Sequence, residues 1–205
     1  MQLRFIDEFE HGFGWTPVGD RLERASHAIR IWSSVWLTDV VDGPGIDERI
    51  AELGEPKAVI QLVDRHERDC PAVARRLGIP LHETPFEGVP GAPFEVIPVV
   101  RRRFWKEIAL WFGAERIMVV GDALGTVGYF RAPGEPVGVH PFLRLKPPRR
   151  AFSGIEPLHV LCGHGPGCHG EGAADAVRRA LATARRRLPQ AWLNGLREAR
   201  RHGKD

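Results

Sequence analysis

VDRHERD at 63–69 is one of three stretches of this chain that share a form; the others are VVGDALG at 119–125 and VLCGHGPGCHG at 160–170. In each, an apolar, β-branched run (AVIQLV, RIMVV, LHVLC) passes directly into polar residues able to ligate an ion or move a proton. The runs carry few charges and read as strands buried on both faces. Asp64, His66 and Asp69 follow the first run, Asp122 the second, and His164 the third, with Cys168 and His169 close behind. In open α/β architectures the loops past the carboxyl ends of strands converge on one crevice. Three segments ending alike point to one shared cleft.

Working outward, SHAIRIW (26–32) and SVWLTDV (34–40) read as a tight β-hairpin, with Asp39 and Asp42 at its end and Gly43-Pro44-Gly45 breaking the chain. IDERIAELG (46–54) has helical spacing of Ile46, Ile50 and Leu53 and a glycine to stop it. RDCPAVARRLG (68–78) is a second helix, with Pro71 in its first turn. Ile79–His82 begins a short strand. RRRFWKEIALWFG (101–113) reads as an amphipathic helix with Phe104, Ile108, Trp111 and Phe112 on one side. Residues 129–157, with six prolines, read as a long irregular loop. EGAADAVRRALATARRRL (171–188) and PQAWLNGLREARR (189–201) are helices, and RHGKD is a frayed end. The N-terminal 25 residues read as one edge strand and a covering loop. The sum is a layered α/β arrangement with helices over sheets, one domain across 1–205 with a helical tail from about 189.

At 205 residues, 43% apolar and 27% charged, the composition is that of a globular domain. A net charge of +3 on a mixed surface argues against a nucleic-acid-binding role. Arg101–Arg103 with Arg149-Arg150 could touch phosphate and would favour one. No apolar stretch approaches the ~20 residues of a membrane span, and the N-terminus lacks the apolar core of a secretory signal. Three cysteines suit free thiols in a reducing cytoplasm rather than a disulfide framework.

Carboxylates and imidazoles past strand ends suit a divalent transition ion: zinc takes His nitrogen and Asp oxygen in a tetrahedral set, and iron or manganese take the same donors. His66 and Asp69, three apart, with Asp122 and His164, make a four-ligand set for one ion. Each residue also has a plainer reading. Asp69 is placed to cap the 70–78 helix, Asp122 to form a turn, and His66 to be a bonded loop histidine. His164 lies between two glycines, which suits a positioned side chain. Cys162, His164, Cys168 and His169 are a further, lesser candidate for a local zinc knot. Their spacing departs from the paired Cys-x2-Cys pattern.

On these residues the chain resembles the metallo-β-lactamase fold superfamily over about 26–188. VWLTDVVDGPG is similar to the strand ending in that family's structural aspartate, here Asp39. VDRHERD stands where its His-x-His-x-Asp-His motif lies. VVGDALG resembles the strand with the metal-bridging aspartate, here Asp122, and VLCGHGPG the last motif, whose histidine is His164. The resemblance implies a four-layer αβ/βα sandwich with its site at the sheet edges. The departures are specific. Asp64 replaces the first histidine, His66 keeps the second, Arg68 replaces the aspartate of the second ion, and Asp69 replaces the final histidine. No Gly-His turn occurs between 85 and 115, where Val100 and Arg101 stand. A two-ion site is therefore excluded, and two readings remain open. One is a metal-dependent hydrolase of a small molecule with one ion (Zn, or Fe or Mn) held by His66, Asp69, Asp122 and His164. In it Asp64 or Asp69 orients the water, and Arg65 or Arg68 binds an anionic substrate group. The other is a non-catalytic binding or scaffold protein without an ion, in which Arg68 pairs with Asp64, Asp69 or Asp122 and replaces the metal. The Pro-rich loops at 84–98 and 131–150, with Phe86, Phe94, Tyr129 and Phe130, are expected to wall the cleft.

Overall fold

The computed structural model describes residues 1–201, with the side chains of 199–201 excepted; the expectation of a frayed end at 201–205 falls almost wholly outside them. β1 (Leu3–Phe9), β2 (Gly12–Pro17), β3 (Ser26–Ile31) and β4 (Ser34–Thr38) run antiparallel in sequence order. The expected single edge strand at the N-terminus is thus a two-stranded hairpin. α1 (Ile46–Leu53) leads to β5 (Glu55–Gln61), and α2 (Cys70–Leu77) to β6 (Leu81–Glu83). β5 and β6 add parallel to β4 and complete a six-stranded sheet.

The second sheet has the order β13-β12-β9-β8-β7. β7 (Glu95–Arg102) and β8 (Trp105–Phe112) form a hairpin, followed by β9 (Ile117–Val120). β10 (Leu124–Gly125) and β11 (Gly138–Val139) pair apart from it, and β12 (His159–Cys162) and β13 (Cys168–His169) finish it. The helix expected over 101–113 is corrected to strand. Arg103 and Phe104 form a two-residue turn with Arg102 opposite Trp105. The β-branched and aromatic residues find ladder partners on both sides of β8, and that pairing overrides the helical spacing. Two helices close the chain, α3 (Ala173–Thr183) and α4 (Leu188–Arg201).

Alternation of side chains explains the layers. From the first sheet Ile29, Ile31, Trp36, Ala58 and Ile60 face the second sheet and join Ile108, Leu110, Ile117, Val119 and Leu161 in one core. Ala28, Val35, Leu37 and Val59 point the other way, onto Ile46 and Ile50 of α1 and Val73 of α2. Ala173, Val177 and Leu181 of α3 belong to the inter-sheet core's outer side. The result is a four-layer αβ/βα sandwich in one domain. α4 is tied on by Asn194, which donates to the carbonyls of Gly128 and Arg131, both at 3.1 Å. No helix among the described residues is long and apolar enough to cross a membrane.

At one rim the sheets are joined. Past β5 the chain leaves its sheet and pairs with β8: Asp64 N–H donates to Lys106 O at 3.0 Å and Ile108 N–H to Leu62 O at 2.9 Å. A second close crossing lies beside it. A Cβ on Gly121 would stand 2.3 Å from Val63 Cγ2, and one on Gly163 would stand 2.9 Å from Gly121 O. Valine is stiff at χ1, so Gly121→Ala is expected to cost about 2 kcal/mol of stability, as overpacking does. Urea unfolding measures it, and an unchanged midpoint would show that the seam yields freely.

Candidate metal centre

The four positioning segments leave the strands at this rim. Asp39 follows β4, His66 follows β5, Asp122 follows β9 and His164 follows β12. Asp39 accepts twice: Oδ1 from Leu62 N–H at 2.8 Å and Oδ2 from His66 Nδ1 at 2.8 Å. A carboxylate only accepts, so His66 carries its proton on Nδ1 and turns Nε2 inward. His164 is set the same way, with Nδ1–H donating to Leu22 O at 2.8 Å. Both Nε2 atoms then converge on one oxygen, Asp122 Oδ1, at 3.0 Å from His66 and 3.1 Å from His164.

His66, Asp122 and His164 are all buried, and they are the only His/Cys/Asp/Glu group among the described residues with ligand atoms close enough for one ion. Asp122 Oδ1 has no hydrogen-bond partner despite its two close nitrogens. With both ring protons on Nδ1, neither Nε2 offers it a hydrogen. Donors at ~2.0–2.1 Å around a tetrahedral ion stand ~3.3 Å apart, so three donors this close leave room for one ion and an open fourth position. Each imidazole already has the outer partner that fixes the ligating nitrogen.

Arg65 covers the centre. Its Nε and Nη2 donate to Asp122 Oδ2 at 3.0 and 2.8 Å, and its guanidinium lies 4.3 Å from the centre of the Trp105 ring. Its side chain is 43% exposed, the outermost part of the group. Beneath it, Glu107 is buried on β8; Oε1 accepts from Ala123 N–H at 2.7 Å and Oε2 from Trp105 Nε1 at 2.8 Å. Phe130 stacks on His164, with centroids 5.4 Å apart and planes at 27°.

Other expectations are corrected here. Asp69 stands at the N-cap position of α2 but makes no side-chain cap; its Oδ2 accepts from Asp42 N–H at 2.9 Å, away from the centre. Asp64 is exposed and also outside the group. Neither is placed to ligate or to orient a water. Arg68 pairs with no carboxylate and faces no substrate cleft. Its Nη1 donates to Ala25 O at 2.6 Å and Asp39 O at 2.8 Å, and its Nη2 to Gly163 O at 3.1 Å. The zinc knot does not form: Cys162 is buried on β12 and outside any ligand group among the described residues, and His169 bonds Asp7 at 3.1 Å. Arg101 pairs with Glu87, and Arg149 caps carbonyls at the end of α3. Phe94 packs in the core against Trp36 and Phe112, while Phe130 lies against the centre at His164 and Tyr129 packs on Phe130 and His140.

Two residues beside the centre were hidden by the helix reading, Trp105 and Glu107. The available signal was a carboxylate inside an apolar run, WKEIALWF, since buried acids are rare without a partner. His140 was hidden in the Pro-rich loop; burial pulls its imidazole down to about 4, so it is neutral.

Burial lowers the His66 imidazole, but the Asp39 charge and contacts with both aspartates outweigh it and raise it to about 9. Burial, reinforced by the Asp122 charge, pushes the Glu107 carboxyl up to about 8. Asp122 is held well below the usual carboxylate range, because its two imidazoles overcome the burial that would raise it. Folded, His66 and Glu107 hold their protons more tightly than unfolded. Their contribution is complete below the unfolded values of 6.5 and 4.5 and lost as pH rises through about 9 and about 8. Asp122 acts oppositely: its contribution is complete above its unfolded value of 3.8 and is lost as pH falls below it. The ion-free protein is therefore expected to lose about 2–3 kcal/mol between pH 6.5 and 9, coupling keeping the total below the sum. Urea unfolding in EDTA across that range tests it; a flat profile would contradict the raised values.

No protein-family model matches the chain, and no curated protein matches it in sequence. Comparison of folds is decisive: the chain has the metallo-β-lactamase fold. The crystal structure of DIM-1 metallo-β-lactamase superposes with a TM-score of 0.61 at 12% identity, covering 93% of this chain and 99% of that one. DIM-1 exposed to ceftazidime gives 0.55 at 12% identity, over 90% and 98%. A metallo-β-lactamase from Erythrobacter litoralis gives 0.53 at 13% identity, over 90% and 92%.

Proposed function

We propose that the protein is a metal-dependent hydrolase that uses one divalent transition ion, held by His66, Asp122 and His164. The single observation that carries this is Asp122 Oδ1, a buried charged oxygen without a hydrogen bond, faced by two imidazole nitrogens whose tautomers are fixed by Asp39 and by Leu22 O. A buried acceptor is seldom left unpaired, and His2Asp is a donor set that zinc, iron and manganese accept. A bound ion would supply Lewis acidity and lower the pKa of a water near neutrality. Around it, Arg65 can exchange Asp122 Oδ2 for an anionic substrate group, because its guanidinium is the exposed, forked donor at the opening. Phe130 and Trp105 exclude water from the inner side. The substrate is a small molecule rather than nucleic acid, given the near balance of charge. The three free thiols suit a cytoplasmic setting.

Elemental analysis of protein purified without chelator is expected to find about one transition ion per chain. A content below about a tenth of that, unchanged after incubation with Zn2+, would end this reading.

One observation favours the scaffold alternative. Arg65 forks onto Asp122, and His66 stands between Asp39 and Asp122, so a protonated imidazole there would match the charges without an ion. Calorimetric titration with Zn2+ separates the two. Ion binding requires His66 to release its proton, whereas a closed charge network gives no heat and no change in midpoint on heating.

A further inference from the structure

Glu107 is an acid wholly buried in WKEIALWF, the otherwise largely apolar run of β8. Its oxygens accept from two neutral donors, Ala123 N–H at 2.7 Å and Trp105 Nε1 at 2.8 Å. Taking a carboxyl out of water is costly, and two neutral hydrogen bonds offset that cost only in part. An apolar side chain would suit this strand better. Departures of this kind from the local pattern belong at functional sites.

Both donors lead to the metal centre. Ala123 directly follows Asp122, so its bond to Glu107 Oε1 pins the backbone from which the Asp122 carboxylate projects. The chain before Asp122 is close as well: a Cβ on Gly121 would stand 3.4 Å from Oε1. Oε2 fixes the turn of the Trp105 indole. Over that ring lies Arg65, its guanidinium carbon 4.3 Å from the ring centre, a cation–π contact. Arg65 in turn forks onto Asp122 Oδ2 at 3.0 and 2.8 Å. The contacts close a circuit, from Glu107 through Ala123 to Asp122, across to Arg65, down to Trp105 and back.

We propose that Glu107 is a positioning residue for the ion site: through the Ala123 N–H it aims the ligand Asp122, and through the Trp105 indole it seats the anion-binding Arg65. This rests on the hydrolase reading above. Glu107 touches neither ion nor substrate. One side chain, gripping both arms, keeps the group that ligates and the group that binds substrate at a fixed separation, which is the precision a reacting site requires. The carboxyl matters because both of its oxygens accept. A glutamine offers one acceptor oxygen and turns an NH2 toward the other N–H, so it can hold one arm of the circuit but not both.

Glu107→Gln in the full chain provides the test, with two readouts beside the urea midpoint. Zn2+ affinity, by competition with a chromophoric chelator, is expected to fall about 10–100-fold, as for loss of an outer partner. In the ion-free protein, the NMR signal of the Arg65 Nε–H, assigned by its absence in Arg65→Lys, is set by the Trp105 ring and the Asp122 carboxylate. In Glu107→Gln it is expected to move toward the position of exposed arginines. Trp105→Phe removes the indole N–H alone and carries the test should the glutamine variant fail to fold; its Zn2+ affinity is expected to fall about tenfold. The two substitutions together are expected to cost less than the product of their separate falls, because they cut one circuit. Zn2+ affinity within about threefold of wild type in both variants, with the Arg65 signal unmoved, overturns the positioning role and leaves the hydrolase standing. A lower urea midpoint and weaker Zn2+ binding with the Arg65 signal unmoved also overturn it, since Glu107 then supports the fold alone. No Zn2+ binding by wild type, with the Arg65 signal displaced in Glu107→Gln, ends the hydrolase and keeps Glu107 as the anchor of the Arg65–Asp122 pair.

Discussion

His164→Ala is expected to lower Zn2+ affinity by about three orders of magnitude, more than the ~10–100-fold that loss of an outer partner costs. Three protein donors face the proposed position, and two donors do not hold zinc in a catalytic site. The side chain is buried but stacked only on Phe130 and bonded only to Leu22 O, so its removal leaves the sandwich in place. Asp39→Asn is the informative companion. It keeps the shape and can still accept from His66, but it weakens the charge that supports Nδ1–H. Its affinity is expected to fall by about 10–100-fold. Competition with a chromophoric chelator reads both. Retention of wild-type affinity within about threefold in His164→Ala would remove the assigned ligand set. Affinity is also expected to rise with pH toward about 9, because an ion must displace the His66 proton.

Arg68→Met is expected to destabilise the fold by about 4 kcal/mol, since hydrogen bonds to a charged group contribute ~1.5–3 kcal/mol and buried carbonyls left unpaired cost ~1–3 kcal/mol each. The three carbonyls that Arg68 binds lie before β3, after β4 and after β12, so one guanidinium staples both sheets. Arg68→Lys is expected to recover less than half of this, because an ammonium is a point charge without the planar fork. Chemical denaturation with EDTA present measures both. A loss below about 1 kcal/mol for the methionine variant would show that the carbonyls find other donors.

The strands carrying His66, Asp122 and His164 are legible because each is a β-branched run ending abruptly in polar residues. The convergence of the three side chains follows from parallel β4–β5 and β9–β12 pairings whose ends share a rim. What the residue pattern concealed has physical causes. WKEIALWF satisfies both a helical and a strand spacing, and only its cross-strand partners decide between them. Asp69 and Arg68 sit one and two residues before α2, where local chemistry suggests a cap and an ion pair. Long-range backbone partners at Asp42, Ala25 and Gly163 claim them instead.

The seam where the chain past β5 joins β8 separates scaffold from chemistry. His66 and Glu107 are spaced by main-chain ladder bonds that depend on no side chain at either position. Side chains that carry none of the frame's bonds, such as the exposed Asp64, can therefore be exchanged one at a time without loosening it. A lineage or a designer can rewrite the reactivity of such a protein while its architecture stays constant.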